Sequence, residues 1–487
     1  MKKCNFFKKF YWLLIGLFII ITVYSGTNVQ ASTNYSQINT NLIVLFNDNI
    51  DTNVENFISN TGGKILNKLP DIGGLEVECN SKLIPKIQSY NTVKSVAPNH
   101  IISINQKETI NFQDYIKTKI STNKIYDNIA DSDLYNTYQW DIKRITNNGK
   151  SFNLSTGNHN IVIGIIDSGV DKNHPDLAQN FMGGENFVPK DFNENKSESG
   201  NLNDIDDTSG HGTYVTGNIA ANGKIKGVAP NIGFKSYRIF DSKNSTNAII
   251  VSSAIIKATN DGVNVINLSM SGYDLKGKCY WTDPDTKKVY NLGNDMAEYG
   301  LYKRAIKYAL KHNVVVVTAA GNDGIDCSNT SKLTQFLNSQ NSKYGFKYEG
   351  LTYEVPGTIK GVINVSATGI NDKIASYSNY GKHFIDVTAP GGDLPDLCLS
   401  TGITSSGYAF GEGTSIAAPK VSAIAGLILC ENSNLKPKKV AKIIYKACDT
   451  LDKSKSNKYY GHGLVNAYTT LMECKKNKSN VITDKLP

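Results

Sequence analysis

Three residues far apart in this 487-residue chain combine into the chemistry of acyl transfer. Asp167 closes the apolar run Ile161-Val162-Ile163-Gly164-Ile165-Ile166 and is followed by Ser168-Gly169, so its carboxylate emerges at the end of a buried strand. His211 stands in Gly210-His211-Gly212-Thr213 at the head of a helical pattern, between glycines that leave the backbone open. Ser415 stands in Gly413-Thr414-Ser415-Ile416-Ala417-Ala418-Pro419, before a long apolar helix. Singly, Asp167 reads as a turn cap and Ser415 as a helix N-cap. Together the three supply an acid to orient an imidazole, an imidazole to take a proton and a hydroxyl to attack. A serine at a helix N-terminus also meets free backbone N–H groups and the positive end of the helix dipole, both of which favour a developing oxyanion. Asn322 offers a further donor: it follows the run Val314 to Thr318 in Ala319-Ala320-Gly321-Asn322, where its plainer reading is a turn asparagine.

Such residues need a frame that delivers them to one place. Apolar runs predict strands at Ile161 to Ile166, Gly233 to Tyr237, Val263 to Leu268, Val314 to Ala319 and Val362 to Ser366. Helical patterns fall at Gly212 to Ala221, Thr246 to Asn260, Tyr299 to His312, Ser415 to Leu429 and Lys436 to Ala447. This alternation predicts an α/β domain, a parallel sheet covered on both faces, with its site beyond the carboxyl ends of the strands. Upstream, Asn41 to Ile104 reads as βαββαβ, a small ferredoxin-like α+β domain. Between the two, Asn105 to Asp133 is polar, lacks a period and is punctuated by Lys107, Lys117, Lys119 and Lys124, which marks an exposed linker.

Composition narrows the class. With 40% hydrophobic and 20% charged residues the chain is globular, and its length predicts two or three folded units. Lys2, Lys3, Lys8 and Lys9, the apolar Phe10 to Tyr24 and the small-residue site Val29-Gln30-Ala31 form a secretory signal peptide, too short in its apolar run for the roughly 20 residues that span a bilayer. No later stretch suggests a membrane anchor, so a soluble protein outside the cytoplasm is expected. The net charge of +9 is dispersed over many lysines, which reads as a solvated surface with weak attraction to anionic cell walls and gives no sign of nucleic-acid binding. Of the eight cysteines, Cys4 lies in the signal peptide and Cys430 and Cys448 read as core thiols. Cys279 and Cys327 lie in two loop-like insertions, and a disulfide between them stays open.

Asp167-Ser168-Gly169-Val170, His211-Gly212-Thr213 and Gly413-Thr414-Ser415-x-Ala417-x-Pro419 resemble, in that order, the three signatures of the subtilisin-like serine proteases, over about Trp140 to Ala467. The resemblance implies a subtilisin-like parallel sheet sandwiched by helices, Asp167, His211 and Ser415 as the catalytic triad, and Asn322 as the side-chain oxyanion donor. It implies five segments: signal peptide 1–31, inhibitory and folding propeptide 32–104, processing linker 105–133, catalytic domain 134–475 and polar tail 476–487. Lys420 departs from the family's usual histidine, a change expected to be tolerated on the helix after the nucleophile. Asp176 matches a carboxylate of the family's tight calcium site. The loop Ala221 to Lys226 is short and brings Lys224 and Lys226 instead of oxygen ligands, so no cofactor is expected to be required and calcium is expected to be missing.

By the same resemblance the pocket for the side chain before the cut bond (P1) is walled by Ser269-Met270-Ser271-Gly272 and Ala319-Ala320-Gly321, and floored by Glu354 ahead of Val355-Pro356-Gly357. A carboxylate there calls for a basic P1 residue, arginine above all. The other reading pairs Glu354 with a local lysine such as Lys360 or turns it to solvent. Asn244-Ser245-Thr246 resembles the edge that pairs with an extended substrate, and Lys117, Lys119 and Lys124 are plausible self-cleavage sites. Insertions at Tyr273 to about Tyr299 and Gly324 to about Gly350 rise beside the pocket and suggest restricted access. Gln139 to Ser151 is similar to the start of the catalytic domain in lantibiotic leader peptidases of Gram-positive bacteria. The expectation is a secreted monomer acting on a lantibiotic precursor and on its own propeptide. A broadly degradative subtilase and an inactive binding scaffold are the rival readings.

Overall fold

The computed structural model describes residues 39–103, 110–111, 114–115, 133–293, 296–452 and 456–483. The expected signal peptide, Lys107, Lys117, Lys119, Lys124 and the last four residues lie outside the described residues.

Short, largely apolar strands build the first sheet. In chain order, β1 (Asn39–Phe46), α1 (Thr52–Asn60), β2 (Lys64–Leu69), β3 (Gly74–Asn80), α2 (Ile84–Gln88) and β4 (Val93–Pro98) form an antiparallel sheet ordered β2-β3-β1-β4. Asp51 starts α1 by accepting the Asn53 N–H, and its second oxygen accepts Thr92 Oγ1 at 2.7 Å, tying the helix to the entry of β4. The sheet packs against helix Ala297–Lys311, and its apolar residues share one core with those of the larger domain. Arg304 donates to Ile72 O and Asn47 O, while Glu298, buried on the same helix, takes both the His100 N–H (2.6 Å) and His100 Nδ1 (2.5 Å).

Seven parallel strands form the second sheet, in the spatial order Val387–Pro390, Ile363–Thr368, Val315–Ala319, Val265–Leu268, Val162–Asp167, Gly233–Arg238 and Phe181–Asn186. The five inner strands are the runs read from the sequence. The two outer ones escaped it for physical reasons: Phe181–Asn186 is a half-exposed edge with two glycines, and Val387–Pro390 is four residues ending at a proline. Helix Thr414–Glu431 packs against the strands Val265–Leu268, Val315–Ala319 and Ile363–Thr368. It is apolar all round because protein surrounds it, and by length and composition it passes for a membrane span, contrary to the expectation that no later stretch would.

One expectation needs correction and one open question closes. The two insertions are structured: Gly272–Thr282, Val289–Gly293 and Phe346–Val355 form an antiparallel three-stranded sheet that buries Trp281, Phe346 and Tyr348, with helix Thr330–Asn341 packed on it. Cys279 and Cys327 are both buried free thiols, so no disulfide joins them. The expected polar tail begins inside helix Ala467–Thr483.

Lys420 needs a correction too, since it is not merely tolerated. It is fully buried two turns after the start of helix Thr414–Glu431, with its ammonium 2.8 Å from the fully buried carboxylate of Asp141 on helix Trp140–Thr146. The same ammonium donates to Pro390 O (3.0 Å) and Ile416 O (3.2 Å). The pair thus joins the start of the catalytic domain, the end of an outer strand and the serine-bearing turn. Breaking a buried pair strands one charge without solvent. Asp141→Ala is expected to cost about 3–5 kcal/mol of stability, and Asp141→Leu combined with Lys420→Met to recover most of it, as read from urea unfolding of the full chain.

Candidate active site

The strand Val162–Asp167 delivers Asp167 to the carboxyl edge of the sheet, beside the end of Gly233–Arg238. One carboxylate oxygen accepts from His211 Nδ1 at 2.7 Å and from the Ser168 N–H, also at 2.7 Å. His211 is the first residue of helix His211–Ala220, and Gly212 explains how that helix comes so close: a β-carbon there would stand 2.1 Å from Gly169 O. Asp207, which the sequence reading passed over, organises the approach. Its oxygens accept the N–H groups of Gly210 (2.8 Å) and Thr213 (2.8 Å) and the Ser168 hydroxyl (2.9 Å), while Ser168 Oγ accepts the Gly212 N–H. The spacing Asp207 to Gly210-His211 resembled a helix-start signal that could have revealed it.

Ser415 lies in the first turn of helix Thr414–Glu431 and remains partly open to solvent. Its helix meets the His211 helix through Tyr214, Ala409 and Ile416, which form a small buried cluster with Cys398. Its carbonyl accepts Ser269 Oγ at 2.9 Å, and Ser269 continues into Asn267 and Ser422, so the turn is bonded to the strand Val265–Leu268 and back to its own helix. Asn322 Oδ1 accepts both the Thr414 N–H (2.9 Å) and Thr414 Oγ1 (2.8 Å), which fixes the amide so that Nδ2 is the free end. Ser415 Oγ and Asn322 Nδ2 border the same space, 2.9 and 3.5 Å from where a β-carbon on Gly413 would stand. A hydroxyl, an amide donor and a helix N-terminus therefore converge on one opening.

The expected pocket walls are continuous. Gly321, at φ +99°, has room for no side chain, because Ser271 Oγ and Asn379 Nδ2 lie 2.6 and 2.4 Å from its β-carbon position. Asn379 donates to Tyr273 OH, and Tyr273 donates to the Asp323 carboxylate. Ser269, Ala319 and Gly321 are buried, while Ser271 and Gly272 are half-buried. Tyr273 pairs across the sheet with Glu354, so the two side chains share a face. Glu354 is fully buried, and among the described residues neither carboxylate oxygen meets a cation or a side-chain donor. Burial pushes its pKa far above the ordinary carboxylate range, opposed by the Gly357 amide and reinforced by Asp274 and Asp323. Ser245, also buried, pairs with Ser103 in a short antiparallel ladder.

Asp176 is far from free to bind a metal. Its Oδ2 accepts the Ile225 N–H at 3.0 Å and Tyr408 OH at 3.2 Å. In the adjoining loop the Lys226 ammonium bonds to Asn222, and the Gln139 amide grips both the N–H and the C=O of Lys226. Peptide and ammonium groups already use these oxygens, so the residues present do not fit a calcium ion.

The family model for the subtilase family matches residues 158–463, and the chain belongs to that family. It is a subtilisin-type serine endopeptidase. Among curated relatives it is 31% identical to the epidermin leader peptide-processing serine protease EpiP of Staphylococcus epidermidis, over 97% of this chain and 100% of that one. It is 36% identical to the nisin leader peptide-processing serine protease NisP of Lactococcus lactis, over 60% of this chain and 44% of that one. The crystal structure of EpiP from Staphylococcus aureus superposes with a TM-score of 0.71 at 28% identity, covering 89% of this chain and 98% of that one.

For His211, burial alone lowers the pKa, but the Asp167 charge, the Asp167 hydrogen bond and the charge of Asp207 outweigh it and hold the ring above the ordinary histidine value. Its neutral form, the one able to accept a proton at Nε2, is therefore lost as pH falls through that raised value. Asp207→Asn is expected to move the His211 titration to lower pH, followed by NMR of the ring in a Ser415→Ala background.

Proposed function

We propose that this protein removes the leader from a lantibiotic-type precursor peptide by cutting after a basic residue, and that it also releases its own N-terminal domain. Two leader-processing relatives support the reaction. The observation that carries the specificity is Glu354, a fully buried carboxylate with no cation or side-chain partner among the described residues, beside the pocket walls Ser269 to Gly272 and Ala319 to Gly321. An enclosed acid is costly to ionise alone, and an entering guanidinium or ammonium would supply the missing charge.

In this reading His211 takes the Ser415 proton through Nε2 while Asp167 holds Nδ1–H and stabilises the imidazolium. Ser415 Oγ attacks the peptide carbonyl; the oxyanion that forms is met by Asn322 Nδ2 and the backbone N–H of Ser415. His211 then passes the proton to the leaving amine, and water repeats the sequence on the acyl-enzyme. No metal enters these steps. The structured insertions beside the pocket favour a dedicated processing enzyme over a scavenger, and the lysine-rich surface and signal peptide agree with work outside a Gram-positive cell.

Peptides differing only in P1 test the specificity. Arginine is expected to be cut far faster than leucine or phenylalanine, and equal rates would sink the assignment. Glu354→Gln should lower kcat/KM for P1 arginine by about 100-fold or more while changing P1 phenylalanine little. Because Glu354 must lose its proton when a cation binds, KM for arginine should fall as pH rises, with no such trend for phenylalanine. Ser415→Ala should leave the full chain uncut in mass spectra; processing that survived would assign maturation to another protease.

A further inference from the structure

The seven-stranded sheet has two ends, and the one away from the catalytic residues carries a cavity. Asp167 closes its strand at the carboxyl end of the sheet. At the amino end, where the strands Val315–Ala319, Ile363–Thr368 and Val387–Pro390 begin, Asn313, Val362 and Asp386 line a cavity of about 850 Å³. Helix Pro437–Ala447 forms one wall: it buries Val440, Ile443, Ile444 and Ala447 in the domain, and the adjoining stripe of Lys438, Ala441, Lys442, Tyr445 and Lys446 faces the cavity. The floor is apolar. Leu310, near the end of helix Ala297–Lys311, meets Val362, Ala441 and the Tyr445 ring, which stacks on His462 with centroids 4.3 Å apart and planes 9° apart.

The rim is cationic. Lys360, Lys436, Lys438, Lys442 and Lys446 surround the floor, and all five are exposed. Lys446 pairs with Glu473 at 2.7 Å and Lys436 donates to Asn313 Oδ1 at 2.9 Å, but Lys360, Lys438 and Lys442 meet no acid among the described residues. The carboxylate in the lining, Asp386, is already engaged: it accepts the Asn364 N–H at 2.9 Å and the Tyr445 hydroxyl. The cavity therefore offers a surplus of positive charge around an apolar surface.

We infer that this cavity binds an anionic phospholipid, with the phosphate among the lysines and an acyl chain along the floor. A bare polyanion would engage the rim and leave the apolar floor in water, and an uncharged lipid would leave the three lysines unpaired; an amphiphilic anion satisfies both. The size agrees, since small-molecule sites run from roughly 300 to 1,000 Å³. Lys438 and Lys442 stand one helical turn apart, about 6 Å along the axis, close enough for their flexible stems to converge on one phosphate. Export by the signal peptide expected at residues 1–31 brings such lipids within reach. Because the cavity lies at the amino ends of the strands, a lipid held there leaves the catalytic opening turned away from the bilayer, and substrate and lipid bind without competing.

The test sediments the full-length Ser415→Ala chain with vesicles of phosphatidylglycerol in phosphatidylcholine and with phosphatidylcholine alone. Binding is expected to the anionic vesicles only, weakened about tenfold by Lys438→Gln with Lys442→Gln and also by Ala441→Glu, which sets a carboxylate on the floor. Lys276→Gln with Lys278→Gln removes the same charge from the exposed side of strand Gly272–Thr282 and is expected to change little. Equal weakening by the two lysine pairs would reduce the attraction to dispersed net charge and overturn the site. Displacement of the chain from vesicles by glycerol 1-phosphate at matched phosphate would overturn the acyl contact, and displacement by poly(glycerol phosphate) would assign the rim to a wall-type polymer instead. With the active chain, saturating anionic vesicles should leave KM for a short, net-neutral peptide substrate unchanged; a competitive rise would place the lipid in the catalytic cleft and overturn the inference.

Discussion

One buried hydrogen bond, Asp167 to His211 Nδ1 at 2.7 Å, sets the terms for the rest of the molecule. It requires a carboxylate at the end of a strand buried on both faces and an imidazole on the first residue of a helix packed against that strand's exit. The chain meets the requirement with backbone. Gly212 lets the helix approach Gly169 O, and Asp207 collects the N–H groups that this approach would leave unpaired. The serine side is fastened in the same manner, with Asn322 held by Thr414 and the Ser415 carbonyl held by Ser269. Each reactive atom is thus positioned by a group that has no part in the chemistry, and little reorganisation is left for the reaction itself.

Two buried acids, Asp141 and Glu354, meet one problem in opposite ways. Lys420 and Asp141 meet at 2.8 Å and compensate each other within the fold. Glu354 has no such partner, and its neighbours Asp274 and Asp323 make the deficit worse. A fold rarely retains an uncompensated acid for stability. Under the proposed specificity a substrate cation completes the pair, and the same acid disfavours P1 side chains that leave it alone.

Much of this was legible in the sequence where a residue's environment is local. Inner strands of a parallel sheet are continuous apolar runs, and Asp167, His211, Ser415 and Asn322 sit at their ends or at helix starts, so type and place were read together. What was missed depends on partners distant in the chain. Asp207 and Ser168 matter through contacts across a turn and a strand. Lys420 looked like a tolerated substitution because its partner lies in a helix far upstream. The insertions looked like loops because their strands carry lysines on one face, while the aromatic residues on the other are buried only once helix Thr330–Asn341 covers them.

The position of the first domain follows from the same economy. Its sheet lies on helix Ala297–Lys311, and the chain leaving β4 passes His100, clasped by Glu298, before pairing with Ser245–Thr246. Glu298 and Asp274 belong to the insertion whose strand Gly272–Thr282 also carries Tyr273, the wall residue opposite Glu354. A single inserted unit therefore shapes the pocket and seats the N-terminal domain. The described parts of the segment that follows pair at two separate edges, Ile102–Ser103 with Ser245–Thr246 and Ile110–Asn111 with Ala409–Phe410, the second beside the stack of Tyr115 on Phe410. The pairing at Tyr408–Gly411 and the Tyr115 stack hold this segment to the catalytic domain independently of the packing of the first sheet on helix Ala297–Lys311. On the proposed self-release, the first domain is left held by non-covalent packing alone, so that its departure becomes a binding equilibrium with no further chemistry.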